Sequence, residues 1–132
     1  MTNKQDRLIE LPSVAVVLLN WNGKKFLAQF LPALLQSTYP GVQIIVADNG
    51  STDDSISFLE HNYPEIQILS NPSNEGFAKG YNTAHEKVNA DIFVLLNSDI
   101  EVTPGWIEPV ISLMSQNKQI AACQPNGNIP YS

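Results

Sequence analysis

Apolar residues in this chain gather in short runs that each end at a polar corner. Val14-Ala15-Val16-Val17-Leu18-Leu19 stops at Asn20-Trp21-Asn22-Gly23, and Val42-Gln43-Ile44-Ile45-Val46-Ala47 stops at Asp48-Asn49-Gly50-Ser51. Ile92-Phe93-Val94-Leu95-Leu96 runs straight into Asn97-Ser98-Asp99. Runs of this length and near-continuous apolarity suit strands buried on both faces, as in a parallel sheet covered by helices. Two shorter runs, Ile66 to Leu69 and Ile120 to Cys123, read as further strands.

The stretches between these runs carry helical spacing. Phe26, Leu27, Phe30, Leu31, Leu34 and Leu35 form a wide stripe over 24–37. Pro32 inside it removes a backbone donor, which predicts a kink or two short helices. Ser51 with Asp54 fits a capping box that opens a helix carrying Ile56, Leu59 and Tyr63. Phe77, Tyr81, Ala84 and Val88 mark a third helix. Thr103-Pro104 fits the N-cap and first helical position of a fourth, with Ile107, Val110, Ile111 and Met114 on its apolar side. The predicted order is strand then helix, four times, then a strand. The fold class is therefore α/β, a mostly parallel sheet with right-handed crossovers and helices on both faces. Residues 1–12 read as a flexible lead-in and 13–132 as one unit.

Composition narrows the function. The chain has 132 residues, enough for one domain, and 43% of them are apolar, enough for a core. A formal net charge of −6 argues against a nucleic-acid partner. One cysteine, Cys123, makes no internal disulfide, which points to a reducing, cytoplasmic setting. Peripheral attachment at the inner face of the membrane is compatible with that reading. No apolar run approaches the ~18 residues of a membrane helix. No Gly-x-Gly-x-x-Gly, P-loop or zinc spacing is present.

The candidate chemistry lies where the strands end. In open α/β sheets, ligands bind outside the carboxyl ends of the strands. Those ends carry Asn20 and Asn22, then Asp48 and Asn49, then Asn97, Ser98 and Asp99. A fourth cluster, Asn74-Glu75-Gly76-Phe77-Ala78-Lys79-Gly80-Tyr81-Asn82, opens a helix whose N-terminus favours an anion. Taken singly, each has an ordinary explanation: Asp-Asn-Gly-Ser as a turn and cap, Asp99 as a solvated strand end, Lys79 as a surface side chain. Four such groups at successive strand ends are harder to explain that way.

These four segments, in this order, resemble the family 2 glycosyltransferases, closest to the rhamnosyltransferase-like branch. The resemblance runs from about residue 13 to the end. It implies the GT-A fold, a Rossmann-like nucleotide-diphospho-sugar transferase type, and inverting transfer of a sugar from a nucleotide diphosphate sugar. By motif, Asn20, Trp21 and Asn22 would line the base pocket, and Asp48 with Asn49 would hydrogen-bond the base or ribose. Asn74, Gly76, Phe77, Lys79 and Asn82 would shape the donor site. Asn97-Ser98-Asp99 stands where the family has Asp-x-Asp, with Asp99 at a divalent cation, Mn²⁺ or Mg²⁺. Asn97 in place of the first Asp keeps a hydrogen bond to ribose and weakens the charge at the metal.

The resemblance also implies what is absent. The family's catalytic base and acceptor-binding half follow this region by roughly a hundred residues, so no catalytic base is assigned, and the chain reads as the truncated, nucleotide-binding part. An exposed sheet edge open to self-association is expected in such a part. The implied partners are a dTDP- or UDP-linked sugar and a carbohydrate or lipid-linked acceptor in cell-surface polysaccharide synthesis. The alternative is a non-catalytic nucleotide-sugar-binding module or partner subunit. A response-receiver domain would need an acidic pair at the first strand's end, where Asn20-Trp21-Asn22 offers none. A nucleotidyltransferase would need a glycine-rich basic loop after that strand.

Overall fold

The computed structural model describes residues 11–74 and 76–116. Strands and helices alternate: β1 (Val14–Asn20), α1 (Lys24–Leu34), β2 (Gln43–Asn49), α2 (Ser55–Asn62), β3 (Gln67–Asn71), α3 (Gly76–Lys87), β4 (Ile92–Asn97) and α4 (Ile107–Gln116). The strands form one sheet in the order β3-β2-β1-β4, and every pairing is parallel. The register sets Asn20 opposite Asp48 on β2 and Leu19 opposite Asn97 on β4.

β1 explains why its sequence has no polar position before Asn20. All seven of its residues are buried, with alternate side chains entering different cores. Val14, Val16 and Leu18 pack with Leu27, Leu31 and Leu34 of α1, Leu59 of α2, and Ile107 and Ile111 of α4. Ala15, Val17 and Leu19 pack with Ile45, Ala47 and Leu69, and with Ala84 and Val88 at the end of α3. Three helices thus cover one face and α3 the other, as the alternation of runs predicts. β1 and β2 are the central strands. Among the described residues, β4 has no neighbour on its outer side.

Three local expectations are corrected. Pro32 lies inside a single helix rather than dividing it. It falls in the last turn, where only Ala33 and Leu34 follow, so there is little helix beyond it to split off. Ser51 and Asp54 do not form a capping box. The Ser51 hydroxyl is committed to Asp48, and Asp54 makes no side-chain cap; Asp53 instead accepts from the Ser55 amide at 3.0 Å. Thr103-Pro104 does not start α4, which begins at Ile107. The Thr103 carbonyl accepts from Trp106 N, and the Pro104 carbonyl accepts from Thr38 N at 2.8 Å, so this turn clips the end of α1. Trp106 packs against the first core, with its indole N–H on Ser37 Oγ at 2.8 Å. The strand expected at 120–123 lies outside the described residues.

The core predicts a contrast on α1. Leu31, 1% exposed, should cost about 2–5 kcal/mol when changed to Ala. Leu35, 38% exposed, should cost less than about 1 kcal/mol on the same change. Urea unfolding of the two variants checks both.

Candidate functional site

Parallel strands end at a common edge. Chain order reverses at β1: β2 and β3 lie on one side of it and β4 on the other. The crevice between the carboxyl ends of β1 and β4 is therefore the topological switch point, where ligands of open α/β sheets bind.

Asp48 organises the neighbouring part of this edge. It is 3% exposed, so its carboxylate needs internal donors. Oδ1 accepts from Asn20 Nδ2 at 2.8 Å and from the Ser51 hydroxyl at 2.6 Å, and Oδ2 accepts from Ser51 N at 3.0 Å. Ser51 Oγ in turn accepts from Asn22 N at 2.8 Å. Asn22 sits at φ 52°, in the left-handed region that Asn tolerates. Its Oδ1 accepts from the amides of Thr52 at 2.6 Å and Asp53 at 3.1 Å. The loops after β1 and β2 are thus laced together by short polar side chains.

The lacing continues into both neighbouring helices. Asp53 Oδ2 accepts from Lys24 N at 3.2 Å, where α1 begins. Burial alone would push the Asp53 carboxyl up. The bonds from Ser55 and Lys24 outweigh it and hold the group below the usual Asp value. On the other side Asn49, 4% exposed, accepts from Asn71 Nδ2 at 2.9 Å and donates to the Gly76 carbonyl at 3.1 Å. Asn71 Oδ1 accepts from Thr83 Oγ1 at 3.2 Å. These contacts fix the start of α3 against the ends of β2 and β3.

The β4 exit differs. Asn97 and Ser98 are half-buried and Asp99 is exposed, so the carboxylate stands at the lip of the crevice. Gly23 fills the space between the two sides: a Cβ there would stand 2.6 Å from Asn20 Oδ1 and 2.9 Å from Ser98 Oγ. Asn20 is 1% exposed, and its Oδ1 is buried without a hydrogen-bond partner. Among the described residues no group of three or more His, Cys, Asp or Glu side chains could hold a metal ion by itself.

The sequence candidates therefore divide by place. Asn20, Asn97, Ser98 and Asp99 border the switch-point crevice, with Asp48 and Asn22 bracing its β1 side. Trp21 is 55% exposed beside it. Asn49, Asn74, Gly76, Lys79 and Asn82 belong to the β2–β3 end, and Phe77 opens α3 there; β2 and β4 are two strand spacings apart, about 10 Å. Asn74 Oδ1 accepts from Gly76 N at 3.2 Å. Lys79 and Asn82 are exposed on α3. Sequence reasoning gave Ser51 only a capping role and passed over Gly23, Asn71 and Thr83. A hydroxyl three residues after a strand-end Asp was the available signal for Ser51.

The family model described as glycosyl transferase family 2 matches residues 13–130. An uncharacterized glycosyltransferase of Haemophilus influenzae is 29% identical over 114 residues, covering 84% of this chain and 35% of that protein. The N-acetylglucosaminyl-diphospho-decaprenol L-rhamnosyltransferase of Mycobacterium tuberculosis is 28% identical over 126 residues, covering 87% of this chain and 40% of that protein. The chain thus spans well under half the length of both. Among solved structures, S. aureus TarS residues 1–349 in complex with UDP superposes with a TM-score of 0.67 at 17% identity, over 80% of this chain and 33% of that one. The mannosyltransferase PcManGT of Pyrobaculum calidifontis, in complex with GDP-Man and Mn²⁺, superposes with a TM-score of 0.63 at 22% identity, over 70% of this chain and 29% of that one. These likenesses show the fold, which is of the GT-A type.

Two glycines give a matched test of the laced loops. Gly50 and Gly41 have nearly equal φ, 73° and 70°. A Cβ at Gly50 would stand 2.7 Å from Ser73 Cα and 3.0 Å from the Pro72 carbonyl oxygen, whereas at Gly41 it meets nothing within 4 Å. Gly41→Ala should cost about 1–2 kcal/mol, the left-handed backbone alone. Gly50→Ala should cost at least ~1 kcal/mol more, because backbone must move. Denaturant midpoints measure the difference. In addition, a carboxyl lowered in the fold stabilises above its unfolded value and loses that contribution as pH falls through the folded value. Asp53→Asn should accordingly flatten the fall of Tm below about pH 4, the ordinary Asp range.

Proposed function

The chain belongs to glycosyl transferase family 2, and we propose that it forms the donor side of an inverting glycosyltransferase. In this reaction an acceptor hydroxyl attacks the anomeric carbon, the bond to the nucleoside diphosphate breaks, and a base takes the hydroxyl proton. That base is assigned to no carboxylate among the described residues. The observation that carries the reading is the switch-point crevice, with the exposed carboxylate of Asp99 at its lip and uncharged hydrogen-bonding groups on its walls.

Each side chain then has a task. Asn20, Trp21 and Asn22 border the base. Asp48 holds Asn20 and Ser51 in place, and Oδ2 has acceptor capacity left beyond the Ser51 amide. Asn97 offers an amide to the ribose. The start of α3, anchored by Asn49, brings backbone N–H groups to the same edge, which suits an anionic donor, and Lys79 follows within its first turns. Asp99 is a hard oxygen donor that would hold Mg²⁺ or Mn²⁺, and such a cation would supply positive charge against the leaving diphosphate.

The names of similar proteins bound the partners. Those proteins include one that takes a lipid-diphosphate-linked sugar as acceptor and ones solved with UDP or GDP-Man. These names support a nucleotide diphosphate sugar as donor, and for this chain we propose a dTDP- or UDP-linked sugar and a carbohydrate or lipid-linked acceptor in cell-surface polysaccharide synthesis.

Thermal-shift titrations with UDP, dTDP and GDP, each with and without Mn²⁺, test this. One nucleotide should raise Tm, Mn²⁺ should enlarge the rise, and Asp99→Ala should remove the metal-dependent part, about tenfold or more in affinity. The absence of a shift with every nucleotide would contradict the proposal.

A further inference from the structure

We propose that Ser98 is a positioning residue whose hydroxyl donates to Asn20 Oδ1 when nucleotide and cation fill the crevice, tying the β4 exit to β1. The inference rests on the donor-site reading above and goes beyond it, because it makes two residues of the crevice act on each other.

The orientation of the Asn20 amide is fixed by its neighbour. Nδ2 lies 2.8 Å from a carboxylate oxygen of Asp48 and 3.2 Å from Ser51 Oγ. Turning the amide over would set its oxygen against the carboxylate and lose a charge-assisted bond. Oδ1 must therefore face away from Asp48, and there it is buried with no partner. Buried acceptors without partners are rare, because each forfeits its hydration.

The partner has to come from the protein. Oδ1 is sealed from solvent, so a ligand in the crevice does not meet it directly. Across Gly23 stands Ser98 Oγ. The two oxygens lie 2.6 Å and 2.9 Å from one common point, so their separation cannot exceed the sum of these distances. A change of χ1 at Ser98 among its staggered wells, with a small shift of the β4 exit, closes that gap. Gly23 leaves the path open, since any side chain there would stand between the two atoms. Ser98 precedes Asp99 directly, so the new bond would fix the backbone from which the Asp99 carboxylate projects. Closure thus couples satisfaction of a buried acceptor to the placing of the metal-binding group.

The test uses the whole chain with UDP, with and without Mn²⁺, in wild type, Ser98→Ala and Ser98→Thr. Calorimetry gives Kd, and ¹⁵N NMR follows the Asn20 side-chain amide. Ser98→Ala should bind UDP with Mn²⁺ about three- to tenfold more weakly, the worth of one hydrogen bond. It should bind as wild type without Mn²⁺, and Ser98→Thr should restore the loss. The Asn20 amide resonance should move further on adding UDP and Mg²⁺, the diamagnetic stand-in for Mn²⁺, in wild type than in Ser98→Ala. Equal weakening with and without Mn²⁺, a lowered Tm of unliganded Ser98→Ala, or an Asn20 resonance that moves alike in both proteins would overturn the proposal. Where wild type binds dTDP or GDP in place of UDP, that nucleotide is the probe, and the same loss or its absence decides. Binding of no nucleotide at all overturns the donor-site reading and this one together.

Discussion

A carboxylate buried at the end of a central strand must be surrounded by donors, and Asp48 imposes that requirement on everything near it. Its oxygens take the Asn20 amide, the Ser51 hydroxyl and the Ser51 backbone N–H. Meeting it fixes the direction of the Asn20 side chain, brings the loop after β2 against the loop after β1, and leaves Ser51 Oγ to receive Asn22 N. An uncompensated buried charge would be far more costly than any of these bonds is strong. The network is therefore a condition of folding as well as a frame for the crevice.

From that frame the division of labour along the edge follows. The β1–β2 side is laced by short-range bonds that leave Asn20 Oδ1 alone without a partner in the network, and it is held further by Asn22 on Thr52 and Asp53. The β4 side carries its carboxylate outward at Asp99. A site that must accept a charged diphosphate needs both properties: groups already held in place, which lose little entropy on binding, and a carboxylate free to meet a cation. The start of α3 is held by a separate chain of amides through Asn49, Asn71 and Thr83.

Much of this was legible in the residues. Strands buried on both faces read as apolar runs, and β1 and β4 begin where those runs begin. The polar residues that follow mark the edge because a buried strand can carry such groups only where it leaves the core. The α3 stripe was equally plain: Ala84 and Val88 both enter the second core. What failed was local grammar overridden by tertiary partners. Ser51 fits a helix cap, yet an unpaired carboxylate three residues before it competes for the hydroxyl and wins. Thr103-Pro104 fits a helix start, yet the Pro104 carbonyl is claimed by Thr38 in the segment after α1. The pairing of Asn20 with Asp48 depends on the register between β1 and β2, which no single stretch of sequence encodes. For the same reason the value of Gly23 was invisible, since its neighbours Asn20 and Ser98 come from two different strand ends.

Asp48 holds the crevice in shape, and on the proposed reading Asp99 meets the donor. The most direct test is a crystal structure of the chain with UDP and Mn²⁺ bound. The diphosphate and cation are expected at Asp99, beside the ends of β1 and β4, with Asp48 still bonded to Asn20 and Ser51. An Asp48 that has left Asn20 to bind the cation, or a nucleotide seated away from the β1–β4 crevice, would contradict it.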